Sequence, residues 1–423
     1  MSERWAEECL AFIDCSVSCY HVVENVKERL EERGFLPLEE KEEWKVEAGK
    51  SYYVTRGGAS LIAFRVPEKE IRGFHIAASH SDSPSFKLKT NPEMMAQDQY
   101  LRLNTEAYGG MIYSTWFDRC LSVAGRLVCD GENGLKSVNV NIDEDFMVIP
   151  SLAIHMNREA NKGMELNPQT DLLPLMGSGK ARGSLLKKLA GQAGVKEEDI
   201  LGNDLFLYVR DKGRLAGPEK ELLIAPRLDD LACVYASMEA ILDAVPEDYC
   251  TMCVIFNHEE VGSHTSQGAA STFLKDTMIR IGENLGKEGS GFLRLLADSF
   301  MVSADNAHAL HPNHPEKADS GNRPVLNGGI VIKHHGGQKY TTDAYSEAVI
   351  KALCRKAGVP YQDYHNRSDI PGGSTLGNIS AGQVSIPAVD VGLAQLAMHS
   401  AVETAGSRDV EYLVRVLKKF YEK

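Results

Sequence analysis

The chain has 423 residues, 43% apolar and 25% charged, and its 46 basic residues stand against 59 acidic ones for a net charge of −13. That length exceeds what one hydrophobic core usually fills, so two domains are expected, and the composition is that of a folding chain. The acidic balance argues against nucleic acid or an anionic membrane as the main partner.

The first residues, MSERWAEECLAFI, lack the basic region, apolar core and small-residue cleavage site of a secretory leader, and none is expected. Tyr20–Arg33 carries apolar Val22, Val23, Val26 and Leu30 between charges and is followed by Gly34, the pattern of an amphipathic helix with its stop signal. Tyr52–Thr55, Ser60–Val66 and Phe74–Ser79 read as strands. From about residue 91 to 226 the texture changes to short alternating runs, such as Val138–Ile142, with many glycines and few helical patterns. Beyond Pro226 the alternation returns: Leu228–Ala244 as helix, Thr251–Phe256 and Phe300–Ala304 as strands, Ala344–Ala357 and Val410–Phe420 as helices. This order predicts an α/β domain with a mixed, largely parallel central sheet and helices on both faces, formed by residues 1–90 and 227–423. Residues 91–226 are then a β-rich insertion. No window approaches the roughly 20 apolar residues of a membrane helix. The nine cysteines, odd in number and scattered, fit free thiols in a reducing cytoplasm. Cys250-x-x-Cys253 reads either as a redox or half-zinc pair or as two small buried hydrophobes, and its place at the start of an apolar run favours the latter.

Chemistry-bearing residues gather where predicted strands end. Phe74–Ser79 runs into His80-Ser-Asp82, in which Asp82 can fix the tautomer of His80 while the other ring nitrogen binds a metal. Asp229 and Asp230 precede an apolar helix, as helix caps or as a carboxylate bridging two metals. The stretch FNHEEVGS places Glu259 and Glu260 just past a strand, where a chain leaving the sheet can aim both inward. Phe300–Ala304 delivers Asp305, with His308 three residues on, and the apolar run Val391–Met398 delivers His399. Such sheets build sites at the carboxyl ends of their strands. Two histidines with carboxylates suit Zn²⁺, with Co²⁺ or Mn²⁺ not excluded by ligand type, and one bridging carboxylate would hold two ions about 3.5–4 Å apart.

The stretches FIDCSVSCYH, GFHIAASHSDSP, YGGMIYSTWFDR, LAIHMNR, APRLDDL, FNHEEVGS, SADNAHALHPN, Val331–Lys333 and QLAMHS occur in this order over almost the whole chain. Through them the sequence resembles the aspartyl aminopeptidase family of dinuclear zinc metallopeptidases, and its bacterial members in particular. The resemblance implies two zinc ions per subunit, His80 and Asp305 on one, Glu260 and His399 on the other, Asp229 bridging, and Glu259 as general base. It implies substrate contacts at His155, His308, Lys333 and Tyr340, with His155 reaching the site of a neighbouring subunit, and a cis peptide between Asp229 and Asp230. It makes the insertion a dimerisation domain and the assembly a tetrahedral dodecamer built from dimers. The expected substrate is a peptide beginning with Asp or Glu, cleaved in the cytoplasm.

The sequence departs from the family at Ser16-Val-Ser-Cys19, where two prolines are lost, at Cys120, which replaces an acid, and at His334-His335 after the lysine. The last could alter selectivity. Two other readings remain open: a two-metal peptidase or amide hydrolase with another substrate preference, and a non-catalytic metal-binding assembly. The presence of Glu259 argues against the second, because a structural metal site has no use for an unliganded carboxylate.

Overall fold

The structure is a computed structural model that describes residues 2–132 and 134–422. Its central sheet has nine strands in the order Leu36–Leu38, Ser51–Arg56, Ser60–Arg65, Tyr249–Phe256, Gly73–His80, Phe300–Ala304, Ala388–Gly392, Ile330–His334 and Tyr361–His365. The four strands in the middle, from Tyr249–Phe256 to Ala388–Gly392, are mutually parallel, so their carboxyl ends share one edge. Antiparallel pairings lie outside them, at Ser51–Arg56 with Ser60–Arg65, at Ser60–Arg65 with Tyr249–Phe256, and at Ile330–His334 with Ala388–Gly392. The expected mixed, largely parallel sheet is present.

Both faces of the middle strands are covered, which is why these strands read as continuous apolar runs. In Tyr249–Phe256, Cys253 and Ile255 face a core shared with helices Ser2–Cys15, Cys19–Glu32, Leu228–Leu242, Ala344–Ala357 and Asp409–Tyr421. Cys250, Met252, Val254 and Phe256 face the opposite core, against Phe273–Asn284 and Ser290–Ala297. Cys250 and Cys253 therefore point to opposite sides of one strand, and all nine cysteines are free. Helix Leu228–Leu242 is buried around almost its whole circumference because it lies between the sheet and the helices Ser2–Cys15 and Asp409–Tyr421.

A second, six-stranded sheet is antiparallel throughout, in the order Lys136–Asn141, Leu121–Cys129, Ile200–Val209, Ser85–Ala96, Tyr100–Tyr108 and Leu175–Ser178. It has its own core, built on Phe86, Leu103, Trp116, Val123 and Leu205. A third sheet joins Arg214–Ala216, Leu222–Ala225, Glu403–Gly406, Ala394–Leu396 and Ala307–His308. In it Ala225 lies opposite Glu403, which brings the chain entering Asp229 beside the chain leaving His399.

The apolar run Val391–Met398 is not one strand. It divides at Gly392, where a Cβ would stand 2.0 Å from the Asp305 carbonyl oxygen, so only glycine passes there. The chain then crosses from the central sheet to the third, and His399 emerges from Ala394–Leu396 instead of from a central strand. Among the described residues no helix is long and apolar enough to cross a membrane.

Candidate active site

Five segments converge on the carboxyl edge of the middle strands, carrying His80, Asp229, Glu259 with Glu260, Asp305 and His399. His80 is the last residue of Gly73–His80, and Phe256, its neighbour in register, leads into Glu259 and Glu260. Asp305 follows Phe300–Ala304 directly. Three of the connections turn through left-handed backbone at non-glycine residues: Arg227 (φ 57) before Asp229, His258 (φ 61) before Glu259, and His399 itself (φ 67). Such conformations cost of order 1–3 kcal/mol each and persist where surrounding bonds over-determine them.

Those bonds are present. The Asp82 carboxylate accepts the backbone N–H of Glu259 at 3.1 Å and of Glu260 at 3.2 Å, and also the Tyr108 hydroxyl at 2.7 Å. One buried carboxylate thus holds the turn that aims two glutamates at one place. The Glu403 carboxylate, fully buried, accepts the N–H of Asp229 at 3.0 Å and of His399 at 2.7 Å. Both histidine tautomers are set from behind. His80 donates from Nδ1 to the Asp82 carbonyl at 3.0 Å, with the Asp82 carboxylate 3.4 Å away, and His399 donates from Nδ1 to the Gly110 carbonyl at 2.7 Å. Each leaves Nε2 facing the centre. The peptide between Asp229 and Asp230 is cis.

At that centre His80 Nε2 lies 3.6 Å from Asp229 Oδ1, and His399 Nε2 lies 3.5 Å from Asp229 Oδ2 and 3.3 Å from Glu260 Oε2. Two groups of potential ligand atoms, His80 with Asp229, Asp230 and Asp305, and Asp229 with Glu260 and His399, each fall within 4.8 Å and share Asp229. A third, His80 with Glu259 and Glu260, joins the glutamate turn to them. Asp229 Oδ1 and Glu260 Oε1 are buried without a hydrogen-bond partner. Unpaired buried carboxylate oxygens are costly, and a divalent cation satisfies them, so these donors fit zinc.

The electrostatics agree. Burial opposes ionisation of Asp229, but the adjacent imidazoles of His399 and His80 outweigh burial and hold the carboxyl below its usual range. Burial pushes Glu259 up to about 8, with Asp305, Asp82 and Asp229 adding repulsion against the opposing pull of His80. A carboxylate with that affinity for a proton suits proton transfer near neutrality. Burial also raises Asp230, one oxygen of which accepts the backbone N–H of His80 at 3.2 Å.

The remaining sequence-derived residues are distributed unevenly. Lys333 is buried, and its Nζ donates to Asp305 Oδ2 at 3.1 Å and to the Asn306 carbonyl at 3.3 Å, with the Tyr340 ring 5.2 Å away. Burial works against its charge, and Asp305 with the other acids outweighs that. His308 is exposed, its ring 6.1 Å from that of Tyr364. His155 lies in an exposed loop, and no hydrogen bond or ion pair among the described residues joins it to the central group. A further cluster, His334 with Glu347 and Asp363, is filled by the Lys351 ammonium, which pairs with both acids.

Sequence reasoning did not find Glu403, Tyr108 or Asn306, and it singled out Asp230 only together with Asp229. Asn306 donates to the Leu228 carbonyl at 2.8 Å and to Gln395 at 2.7 Å, tying the segment before Asp229 to the third sheet. An acid inside the small, apolar run AVETAG was the one available signal for Glu403.

Residues 12–421 match the family described as aminopeptidase I zinc metalloprotease, M18. The chain belongs to the M18 family of zinc metallo-aminopeptidases. It is 45% identical over 426 residues to a probable M18 family aminopeptidase 2 of Clostridium novyi, covering 99% of this chain and 98% of that one. Among solved structures, it is similar to the S. cerevisiae mApe1 dodecamer, with TM-score 0.87, 29% identity, and coverage of 99% and 96%. It is also similar to the M18 aminopeptidase of Thermotoga maritima, with TM-score 0.88, 25% identity, and coverage of 100% and 96%. The chain is therefore a zinc-dependent hydrolase of peptide bonds at the amino terminus.

Proposed function

We propose that this M18 enzyme removes N-terminal Asp or Glu from peptides, using two zinc ions per subunit. The observation that carries the reading is the sharing of Asp229 between two donor groups, with Glu259 at their margin. On this reading His80 and Asp305 would hold one ion, Glu260 and His399 the other, and Asp229 would serve both. Bound zinc supplies a Lewis acid that lowers the pKa of water and polarises the scissile carbonyl. Glu259 takes a proton from the attacking water and passes it to the leaving amine nitrogen, a role typically worth 10²–10⁴-fold. Glu403 and Asp82 keep the surrounding side chains aimed while this happens.

Lys333 has three N–H donors, of which Asp305 and the Asn306 carbonyl take two. The third is available to the acidic side chain of the substrate, beside Tyr340. Lys333 therefore has two duties, to neutralise Asp305 and to select a carboxylate. His308 lies on the same margin, and His155 is supplied by a neighbouring copy. Residues 91–226 form the dimerisation and lid domain, residues 1–90 and 227–423 the catalytic one. The solved mApe1 relative is a dodecamer, which supports the same assembly here. The free thiols support a cytoplasmic location.

The test compares Asp-, Glu-, Leu- and Lys-initiated peptides, together with N-acetylated ones, on zinc-loaded protein and on Lys333→Met. Preference for Asp and Glu that shrinks in the variant supports the reading. Equal rates on all free N-termini would leave an M18 aminopeptidase of other specificity.

A further inference from the structure

We propose that the cavity of about 470 Å³ beside His308 is a second anion subsite, which binds carboxylates of the peptide on the leaving side of the scissile bond. The proposal rests on the aminopeptidase reading above and adds to it a preference beyond the first residue.

Position is the first argument. His308 and Gln395 line the cavity and lie side by side in the third sheet, and Gln395 is bonded to Asn306, next to Asp305. The cavity thus lies next to the reacting centre, three residues along the chain from Asp305 at His308 and two from His399 at Ala397. Tyr364 divides it from the Lys333 side: its buried ring packs with Tyr340, and its hydroxyl donates to Asn366 Oδ1 at 2.6 Å. A peptide whose first side chain points to Lys333 has its remainder left over, and this cavity is within the size range of small-ligand sites.

Charge is the second argument. Among the described residues no Asp or Glu lines the cavity, although acids outnumber bases 59 to 46 in the chain. Beside neutral Asn322, Asn366 and Gln395, its basic lining is His308, His311, His314, Lys317, His365 and Arg367. Three nearby carboxylates are already engaged. Glu316 lies 3.4 Å from His314, Asp369 accepts from Arg367 at 2.7 Å, and Asp319 accepts the N–H groups of Gly321 and Asn322 at 2.8 and 2.9 Å. Lys317 makes no ion pair among the described residues, so its ammonium is the free cation of the cavity. Imidazole and ammonium donors around an acid-free hollow recognise a carboxylate by charge-assisted hydrogen bonds.

That carboxylate has two sources, an acidic side chain after the scissile bond or the C-terminus of a short peptide. Three substrates separate them: Asp-Ala-Ala-Ala amide, Asp-Ala-Glu-Ala amide, and Asp-Ala-Ala-Ala with a free C-terminus. Each is assayed for kcat/KM on zinc-loaded, assembled protein, on Lys317→Glu and on Lys317→Ala. We expect one or both carboxylate-bearing peptides to exceed the neutral amide by roughly fivefold, the worth of one partly exposed charge pair. The ratio should fall toward one in Lys317→Ala and below one in Lys317→Glu, and 0.5 M salt should compress it. A ratio of one in the wild type, or a ratio that both variants leave unchanged, overturns the subsite while leaving the aminopeptidase reading intact. Failure to cleave any of the three peptides removes that reading and the subsite with it.

Discussion

At the edge of the central sheet His80 is buried, with Nδ1 bonded to the Asp82 carbonyl and Nε2 turned toward Asp229, while His155, in a loop beyond the second sheet, is exposed beside Leu152, Ile154 and Met156, all exposed as well. The same contrast holds for acids. Burial raises Glu259 and Glu403 to about 8 at the edge, whereas Asp204 in the second sheet is buried in part yet is drawn down to about 2 by Lys87 and Arg126. Apart from Asp305, which Lys333 meets, the edge concentrates acids that no Lys or Arg among the described residues pairs with, which is the condition of a cation site. The second sheet settles its own charges and leaves an apolar loop uncovered, which is the condition of a surface that meets a partner.

The contrast can be broken at Glu259. Glu259→Gln should lower turnover by about 10²–10⁴-fold with zinc content unchanged, since it removes a proton acceptor and no ligand. Zinc analysis and peptide hydrolysis on one sample check this, and near-normal turnover would remove Glu259 from its role. Glu403→Gln should weaken zinc affinity by roughly 10–100-fold, the usual worth of a group that orients metal ligands. Chelator competition measures it without reference to activity.

The loop sharpens the contrast from the other side. His155→Ala should lower activity on the order of tenfold with metal affinity untouched, a smaller effect than loss of the base. Mixed with Glu259→Gln chains after dissociation and reassembly, it should regain activity where an intact Glu259 meets an intact His155. If mixed dimers form and nothing is regained, His155 acts within its own chain.

Removing zinc should bring out the acids of the edge. Glu259 and Glu403 have folded pKa values raised from 4.5 to about 8, so the unfolded chain releases their protons first as pH rises. Metal-free protein should therefore lose stability progressively between about pH 4.5 and 8, whereas zinc-loaded protein should not. Thermal unfolding at pH 6 and pH 8.5, with and without chelator, shows whether the gap between the two forms widens at the higher pH.

Much of this was legible in the sequence because the middle strands are buried on both faces. Runs such as MCVIF and FMVSA announce themselves, and the residues just beyond each run gather at one edge. The helices Phe273–Asn284 and Ser290–Ala297 escaped the reading, as did the division of Val391–Met398 at Gly392. Glu403 escaped for a physical reason: its meaning comes from a pairing with Ala225, 178 residues earlier by the difference of the two numbers, that no local pattern records. The roles proposed for Lys333 and His155 would depend on groups outside local sequence altogether, Asp305 in one case and a second chain in the other.

The most direct test of the account is the zinc stoichiometry of wild-type protein and of Asp229→Asn, measured by titration into metal-free chains. Because Asp229 presents one oxygen to His80 and the other to His399, two ions should bind per wild-type chain, and Asn at 229 should weaken both. A single ion in the wild type, or two ions held undiminished by Asp229→Asn, would contradict the shared-carboxylate centre.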